Sequence, residues 1–258
     1  MELWKTKMVS SMEKVFPEKE PSGEGAGRHM SGLRGETVSF QIAFYWGGEA
    51  REFGSFQAEA PEDVAVRVRE VGLVPCVYTC NRKHDQDYLA TQPGLYPDLL
   101  EEIGSWGFKL MRGLWSSLWV DLEIGEKAQA CSHRIVITLK NRCQTIDETI
   151  ELEVLDASAQ PLSIPHTEWF HCDCLADHYG VTVFSEKHWD IMRNFIVTAV
   201  KRGCNTILTP IFTPPLDTER GGERTTVQLV DIAVRNGKYQ FSYEKFRRWV
   251  DMCRDCGM

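Results

Sequence analysis

The sequence lacks three features that would each indicate a particular class of protein. It has no apolar run long enough to cross a bilayer, and its opening segment MELWKTKMVSSMEKVF lacks the apolar centre of a secretory signal. It also lacks an excess of positive charge, because 37 acidic residues outnumber 29 basic ones. Nucleic acids and anionic membranes favour basic surfaces, so we expect neither as a partner. We expect a cytoplasmic chain, unless a presequence has been removed.

Several motifs of cofactor binding and nucleophilic catalysis are absent as well. There is no nucleophile elbow, no phosphate-binding glycine loop followed by lysine, and no dinucleotide fingerprint. The nine cysteines are an odd number spread over 258 residues, which favours free thiols over a disulfide framework. We therefore expect no bound cofactor.

One segment concentrates residue types that bind metals. Its members are His166, His171, Cys172, Asp173, Cys174, Asp177 and His178. The Cys172-x-Cys174 spacing is wrong for a structural zinc site, and the later Cys253-x-x-Cys256 lies in a predicted helix without a partner pair. We expect no metal here. The alternative, a zinc-dependent hydrolase using this cluster, would carry one metal per chain in elemental analysis.

An alternating pattern fills the first part of the chain. Apolar and polar residues alternate with a period of two in segments 38–46, 64–69, 135–139 and 150–154. Strands with one buried and one solvent-exposed face are typical of antiparallel sheets packed face to face. We predict an antiparallel β-sandwich over residues 1–160, with the glycine-rich segment Pro21–Gly32 as a surface loop.

The pattern changes after Pro161 to strand, helix, strand, helix. Strands are predicted at 163–171 and 205–209, with helices capped by Ser185 and Ser242 and a hairpin turning at Asn236-Gly237. This order predicts parallel strands joined by right-handed crossovers. Two strands and two helices cannot cover both faces of a parallel sheet, so the sequence predicts a piece of something longer.

Two long loops follow the predicted parallel strands, at the end where α/β proteins bind ligands. In the first loop, Thr167–Gly180, His171 and Asp173 could hydrogen-bond the hydroxyls of a substrate, or could tie the loop to its neighbours. Trp169 could stack on a sugar face or fill the core. We take all three as candidate substrate-binding residues.

The second long loop, after the strand at 205–209, is stiffened by prolines, which suits preorganised binding. It carries Asp217, Arg224 and Gln228 as further candidate substrate-binding residues. Asp217 can accept hydroxyl hydrogen bonds and Arg224 can hold a carboxylate in a forked pair. The alternative is that Asp217 and Arg224 pair with each other and brace the loop.

Four stretches of the second part together resemble glycoside hydrolase family 123, the β-N-acetylgalactosaminidase-like enzymes. They read HTEWFHCDCLADHYGV, VFSEKHWD, GCNTILTPIFTPPLDTERGGERTTVQLVD and KYQFSYEKFRRWVDMC. The earlier PGLYPDLL and GETVSFQIAF resemble the N-terminal β-sandwich of that family. The resemblance implies a β-sandwich followed, over residues 161–258, by a (β/α)₈ barrel truncated after its second helix.

The same resemblance implies a carbohydrate substrate and a mechanism. Family 123 enzymes act on 2-acetamido-hexosides with retention, through the substrate's own acetamido group, which is a recognised exception to the two-carboxylate rule. An adjacent Asp-Glu pair after a later barrel strand assists, so we expect it beyond the end of this chain and assign no catalytic residue. The chain alone is then expected to be inactive. The alternative is a non-catalytic carbohydrate-binding or scaffolding protein, favoured if the reading frame stops after Met258.

Overall fold

The computed structural model describes residues 3–24, 27–213 and 218–258. The chain divides into two compact units, Met1–Ala159 and Gln160–Met258, here called the first and second units. Each unit has a hydrophobic core cluster of its own.

The described residues of the first unit form ten strands in two five-stranded sheets. One sheet has the order β1-β3-β8-β5-β6 and the other β2-β10-β9-β4-β7. The strands are β1 (Trp4–Ser10), β2 (His29–Arg34), β3 (Thr37–Trp46), β4 (Glu52–Glu59), β5 (Val64–Cys76), β6 (Gly94–Glu102), β7 (Phe108–Leu110), β8 (Trp115–Ile124), β9 (Ser132–Lys140) and β10 (Thr145–Ser158).

The core of the first unit is built from alternate residues of both sheets. Leu118, Val120 and Leu122 of β8 share one buried cluster with Ile135 and Ile137 of β9, which lies in the other sheet. The predicted period of two is confirmed at Ile135 and Ile137 of β9, since the intervening Val136 is not part of the cluster.

The face of β3 that carries Gln41 and Ala43 is buried, whereas the alternating pattern predicted a solvent-exposed face. Gln41 is 3% exposed, and Ala43 is fully buried. The Gln41 side-chain amide donates to the backbone carbonyls of Ser10 and Glu13, and its oxygen accepts from the Ser117 hydroxyl. The segment after β1 covers this face, and periodicity within a strand does not report such a cover.

The predicted loop Pro21–Gly32 is wrong from His29 onward, where β2 begins and runs parallel to β10. This pairing also corrects the prediction that the sandwich of residues 1–160 is wholly antiparallel. Gly32 is required inside the strand, because a Cβ there would lie 2.6 Å from Cδ1 of Ile124 and 2.7 Å from Cγ2 of Val38. Glycine weakens a strand and has little β-propensity, so the residue pattern around Gly32 does not indicate one.

The described part of the second unit has four short strands and three helices. They are β11 (Thr167–Trp169), α1 (Asp173–Tyr179), α2 (Glu186–Lys201), β12 (Thr206–Leu208), β13 (Asp231–Arg235), β14 (Lys238–Ser242) and α3 (Glu244–Asp255). β11 and β12 pair in parallel, and β13 and β14 form an antiparallel hairpin. In the described residues, one parallel pair of strands with three helices is less than a barrel, so the predicted truncated (β/α)₈ barrel is not shown.

Helix α2 follows the sequence closely. The Ser185 hydroxyl caps it by accepting from the His188 backbone N–H at 3.3 Å, and Gly203 leaves it with a φ of 89°. Trp189 and Ile196 are buried as predicted. Phe195, predicted on the same apolar stripe, is 43% exposed.

Two other helical predictions are wrong. The segment Thr167–Gly180, predicted as a loop, contains α1, and α3 begins after Tyr243 because β14 continues through Ser242. Neither helix has a side-chain cap at its start, so the usual sequence signal is absent. In the part of the chain that the structure describes, no helix is both long and apolar enough to span a membrane.

Candidate functional site

The candidate site lies where the two parallel strands of the second unit end. Thr167 pairs with Thr206 and Trp169 with Leu208, so β11 and β12 finish at the same edge. His171 and Asp173 follow β11, and the loop carrying Arg224 follows β12. Three of the predicted binding residues therefore belong to loops that leave one edge of the sheet.

An ion pair between Asp173 and Arg224 joins these two loops. Nε of Arg224 donates to one carboxylate oxygen of Asp173, and Nη2 donates to the other at 3.1 Å. The side chains are 4% and 15% exposed. Nη2 also lies 3.4 Å from Nδ1 of His171. Arg224 thus braces the loop through Asp173, whereas the predicted partner, Asp217, lies outside the described residues.

A polar groove of about 580 Å³ opens beside this ion pair, and we call it the Arg224 groove. Its lining residues are His171, Asp173, Cys174, Asp177, Thr218, Glu219, Gly222, Glu223, Arg224 and Thr225. The Thr225 hydroxyl donates to Asp177 at 2.7 Å, which adds a second link between the loops. Asp177 was considered only as a metal ligand and was missed as a substrate-binding candidate, although its place four residues after Asp173 puts both on one face of α1.

His188 of α2 fixes the start of α1. Its fully buried ring accepts at Nδ1 from the Phe184 backbone N–H, and donates from Nε2 to the Cys172 carbonyl, both at 2.9 Å. These bonds require the neutral ring with its proton on Nε2. Because Cys172 immediately precedes Asp173, His188 holds the backbone that positions the carboxylate.

The two thiols next to Asp173 are not set up as nucleophiles. Burial, and then the charge of Asp173, raises the pKa of Cys172 to about 12. Burial and the same charge also raise the pKa of Cys174, whose Sγ donates to the His171 carbonyl at 2.8 Å. Thiolate is the reactive form, so the raised pKa values disfavour either thiol as a nucleophile at neutral pH.

The remaining predicted residues have different positions. Trp169 is 63% exposed, and its ring lies 6.4 Å from that of His171, whereas Phe170 packs against Trp249 in the core. Gln228 donates its side-chain amide to the Val230 carbonyl at 2.7 Å and does not line the groove. Trp169 therefore borders the site, and Gln228 supports its own loop.

Of the potential metal ligands named from the sequence, His166 joins a compact group, together with two residues that were not among them. Within residues 3–24, 27–213 and 218–258, one group of three has its ligand atoms all within 4.8 Å, namely His166, Glu168 and Cys204. The cysteines and histidines of segment 171–178 form no such group there. The zinc-hydrolase alternative built on that segment is therefore not supported.

Comparison with known proteins finds a family model that matches the second unit and a solved structure with a similar fold. Residues 169–258 match the family model described as glycoside hydrolase 123, catalytic domain. Among solved structures, a family 123 glycoside hydrolase from Clostridium perfringens, analysed for glycolipid glycan hydrolysis, has a similar fold with a TM-score of 0.77. The identity is 13%, and the match covers 98% of this chain and 46% of that one.

Other matches are weak. AvmM, which catalyses macrocyclization in alchivemycin A biosynthesis, has a TM-score of 0.30 at 9% identity, covering 63% of this chain and 92% of its own. A FixG-related protein from Vibrio parahaemolyticus has a TM-score of 0.28 at 9% identity, and the match covers 60% of this chain and 98% of that one. No curated protein matches. The chain thus spans less than half the length of the family 123 structure it resembles, and its residues 169–258 match the catalytic-domain model of glycoside hydrolase family 123.

Proposed function

We propose that this chain is part of a glycoside hydrolase acting on 2-acetamido-hexosides, and that the Arg224 groove is one wall of its sugar pocket. The observation that carries the proposal is the Asp173–Arg224–His171 cluster at the carboxyl edge of a parallel strand pair. In α/β enzymes, substrates bind at this edge. The matched catalytic-domain segment begins at residue 169, so it contains the whole groove.

The second unit is, in this proposal, the beginning of a (β/α)₈ barrel that follows a β-sandwich domain over residues 1–160. Two features support it. β11 and β12 are parallel neighbours connected through helices, as consecutive barrel strands are. The fold similarity to the Clostridium perfringens enzyme extends over 98% of the chain.

The groove residues bind and orient the sugar rather than break its bond. Arg224 engages both oxygens of Asp173, which holds the carboxylate in place while its remaining lone pairs accept from sugar hydroxyls. His171 offers a ring nitrogen next to the same guanidinium. The exposed Trp169 ring supplies an apolar surface for a sugar face.

Bond cleavage follows the substrate-assisted route, in which the 2-acetamido oxygen attacks the anomeric carbon. An aspartate orients the acetamide and a glutamate protonates the leaving oxygen. We assign neither role to a residue of this chain. Asp173 is already engaged by Arg224, and its task is binding.

Saturation-transfer NMR with N-acetylgalactosamine, and with galactose as the matched ligand lacking the acetamido group, tests the proposal. We expect transfer to the acetamido methyl and weaker binding of galactose. Arg224→Lys keeps the charge but loses the forked geometry, so binding should weaken roughly tenfold, the value of one hydrogen bond to a charged group. Arg235→Lys, on the exposed β13–β14 hairpin, is the control and should bind normally.

Binding of neither sugar, or an Arg224→Lys variant that binds normally, contradicts the sugar-pocket assignment, and equal binding of both sugars contradicts the preference for 2-acetamido sugars. An activity assay tests the assignment of binding roles alone to the groove residues. The purified chain should not hydrolyse 4-nitrophenyl N-acetyl-β-galactosaminide, and turnover above a protein-free blank would show that the catalytic groups are present after all.

A further inference from the structure

A second cluster lies at the opposite edge of the β11–β12 pair from the Arg224 groove. His166 precedes β11, Glu168 lies within it, and Cys204 precedes β12, so the cluster is at the amino ends of the two parallel strands. Nε2 of His166 is 3.1 Å from Oε1 of Glu168, and these atoms and Sγ of Cys204 all lie within 4.8 Å of one another. Neither the proposed sugar binding nor the core requires this combination of side chains.

The backbone that carries the cluster is fixed by hydrogen bonds. Oδ1 of Asn205 accepts from the His166 N–H at 2.8 Å, and the Asn205 N–H donates to the His166 carbonyl at 3.3 Å. The Cys204 N–H donates to the carbonyl of Ala199 at the end of α2. The imidazole and the thiol are therefore brought together by local structure that needs no ion.

We propose that His166, Glu168 and Cys204 bind a zinc-class divalent cation that joins the amino ends of β11 and β12. Zinc bonds to nitrogen, oxygen and sulfur measure about 2.0 to 2.3 Å, so two ligands on one tetrahedral ion are roughly 3.3 to 3.6 Å apart. The separation of His166 and Glu168 already approaches this value. Small side-chain rotations bring the third ligand to the same distance.

The donor set selects the class of metal. One imidazole nitrogen, one carboxylate oxygen and one sulfur suit zinc, whereas magnesium and calcium prefer oxygen ligands alone. On binding, the Cys204 thiol gives its proton to solvent and the sulfur bonds the metal as thiolate. His166 and Glu168 are partly exposed, so water can complete the tetrahedron.

The role of this ion is structural. Residues at the amino-terminal face of parallel α/β strands contribute to stability rather than to chemistry, and the cluster lies at that face. Each of the two strands has only three residues, so a bond through a metal adds to a short hydrogen-bonded ladder. Zinc should therefore raise the thermal midpoint of the second unit.

Cobalt substitution and zinc stoichiometry on the full chain test the proposal. The chain, freed of metal with a chelator, should bind one zinc per molecule, and cobalt should give a near-ultraviolet thiolate charge-transfer band. Cys204→Ser should abolish the band. Glu168→Gln, an exposed and nearly isosteric change, should keep the band but weaken affinity by roughly tenfold or more. Cys143→Ser is the matched thiol control, an exposed cysteine of the first unit, and should change neither readout.

Three results would overturn the proposal. One is binding of much less than one zinc per chain. Another is a charge-transfer band that survives Cys204→Ser, which would place the metal on other thiols. The third is an equal loss of affinity in Cys204→Ser and Cys143→Ser, which would show adventitious binding. If Cys204→Ser does not fold, Glu168→Gln decides, since unchanged zinc affinity there excludes the site.

Discussion

At the residue scale, the Asp173–Arg224 pair costs desolvation free energy and holds two loops in position. Both side chains are largely removed from water, and the desolvation of two charges offsets much of their attraction. Such a pair adds little net stability. The pair joins two residues that are 51 positions apart in the sequence. It fixes the relative position of their loops, because the forked guanidinium geometry tolerates little displacement.

His188 gives the clearest residue-scale prediction. His188→Ala removes the partner of two buried backbone groups, the Phe184 N–H and the Cys172 carbonyl. Leaving them unpaired should lower the free energy of unfolding by about 2 to 4 kcal/mol. The measurement is urea unfolding followed by tryptophan fluorescence. His178→Ala, at an exposed position of α1, should stay within about 0.5 kcal/mol of the parent. Equal effects of the two changes would contradict the positioning role.

The carboxyl group of Asp121 in β8 should make the stability of the first unit depend on pH in acid. Burial raises the pKa of this carboxyl, but hydrogen bonds from Ser39 and Trp119 and the charge of Arg69 outweigh it, so the pKa lies below its usual value. A depressed pKa gives stability that is complete above the unfolded value of about 4 and is lost as the pH falls through the folded value.

The free energy of unfolding of the first unit should therefore decrease below about pH 4, and part of that decrease should vanish in Asp121→Asn. Urea titrations at a series of pH values measure it. Asp85→Asn, at an exposed loop position, serves as the comparison and should keep the parental slope. A parental acid slope in Asp121→Asn would exclude Asp121 as its source.

At the element scale, β2 depends on the absence of a side chain at Gly32. Gly32→Ala would place a methyl group 2.6 Å from Ile124 and 2.7 Å from Val38, so either β2 or these two side chains must shift. We expect a loss of about 1 to 3 kcal/mol in thermal or urea unfolding. The matched change is Gly104→Ala, where no atom lies within 4 Å of the new Cβ, and it should be neutral or slightly stabilising. A harmless Gly32→Ala would contradict the observed packing of β2.

Elements with strong local signals were predictable, and those held by tertiary contacts were not. The alternation in β9 and β10 and the Ser185 cap of α2 can be recognised from neighbouring residues alone. By contrast, β2 is determined by its pairing with β10, and α1 is short and uncapped. The site shows the same division. The strand order placed His171, Asp173 and Arg224 at one edge, but nothing local revealed that Arg224 pairs with Asp173.

At the scale of the whole molecule, the two units differ in how much apolar surface they bury. The core cluster of the first unit draws on both five-stranded sheets, whereas that of the second is smaller and is built mainly on α2 and α3. The second unit also leaves large apolar side chains exposed, among them Trp169, Val234 and Tyr239. Less buried apolar area means less stabilisation to oppose the entropy of the unfolded chain.

The second unit should therefore unfold at lower urea concentration than the first. The cysteines report this directly, because Cys172, Cys204 and Cys253 are buried in the second unit, whereas the described cysteines of the first are exposed or half-buried. Pulsed thiol alkylation read by mass spectrometry should label these three before circular dichroism records loss of the strands. Cys143, which is exposed, should react at every urea concentration and calibrates the pulse. Simultaneous labelling and strand loss would show a single cooperative transition, and the difference in core size would then not govern the stability of this chain.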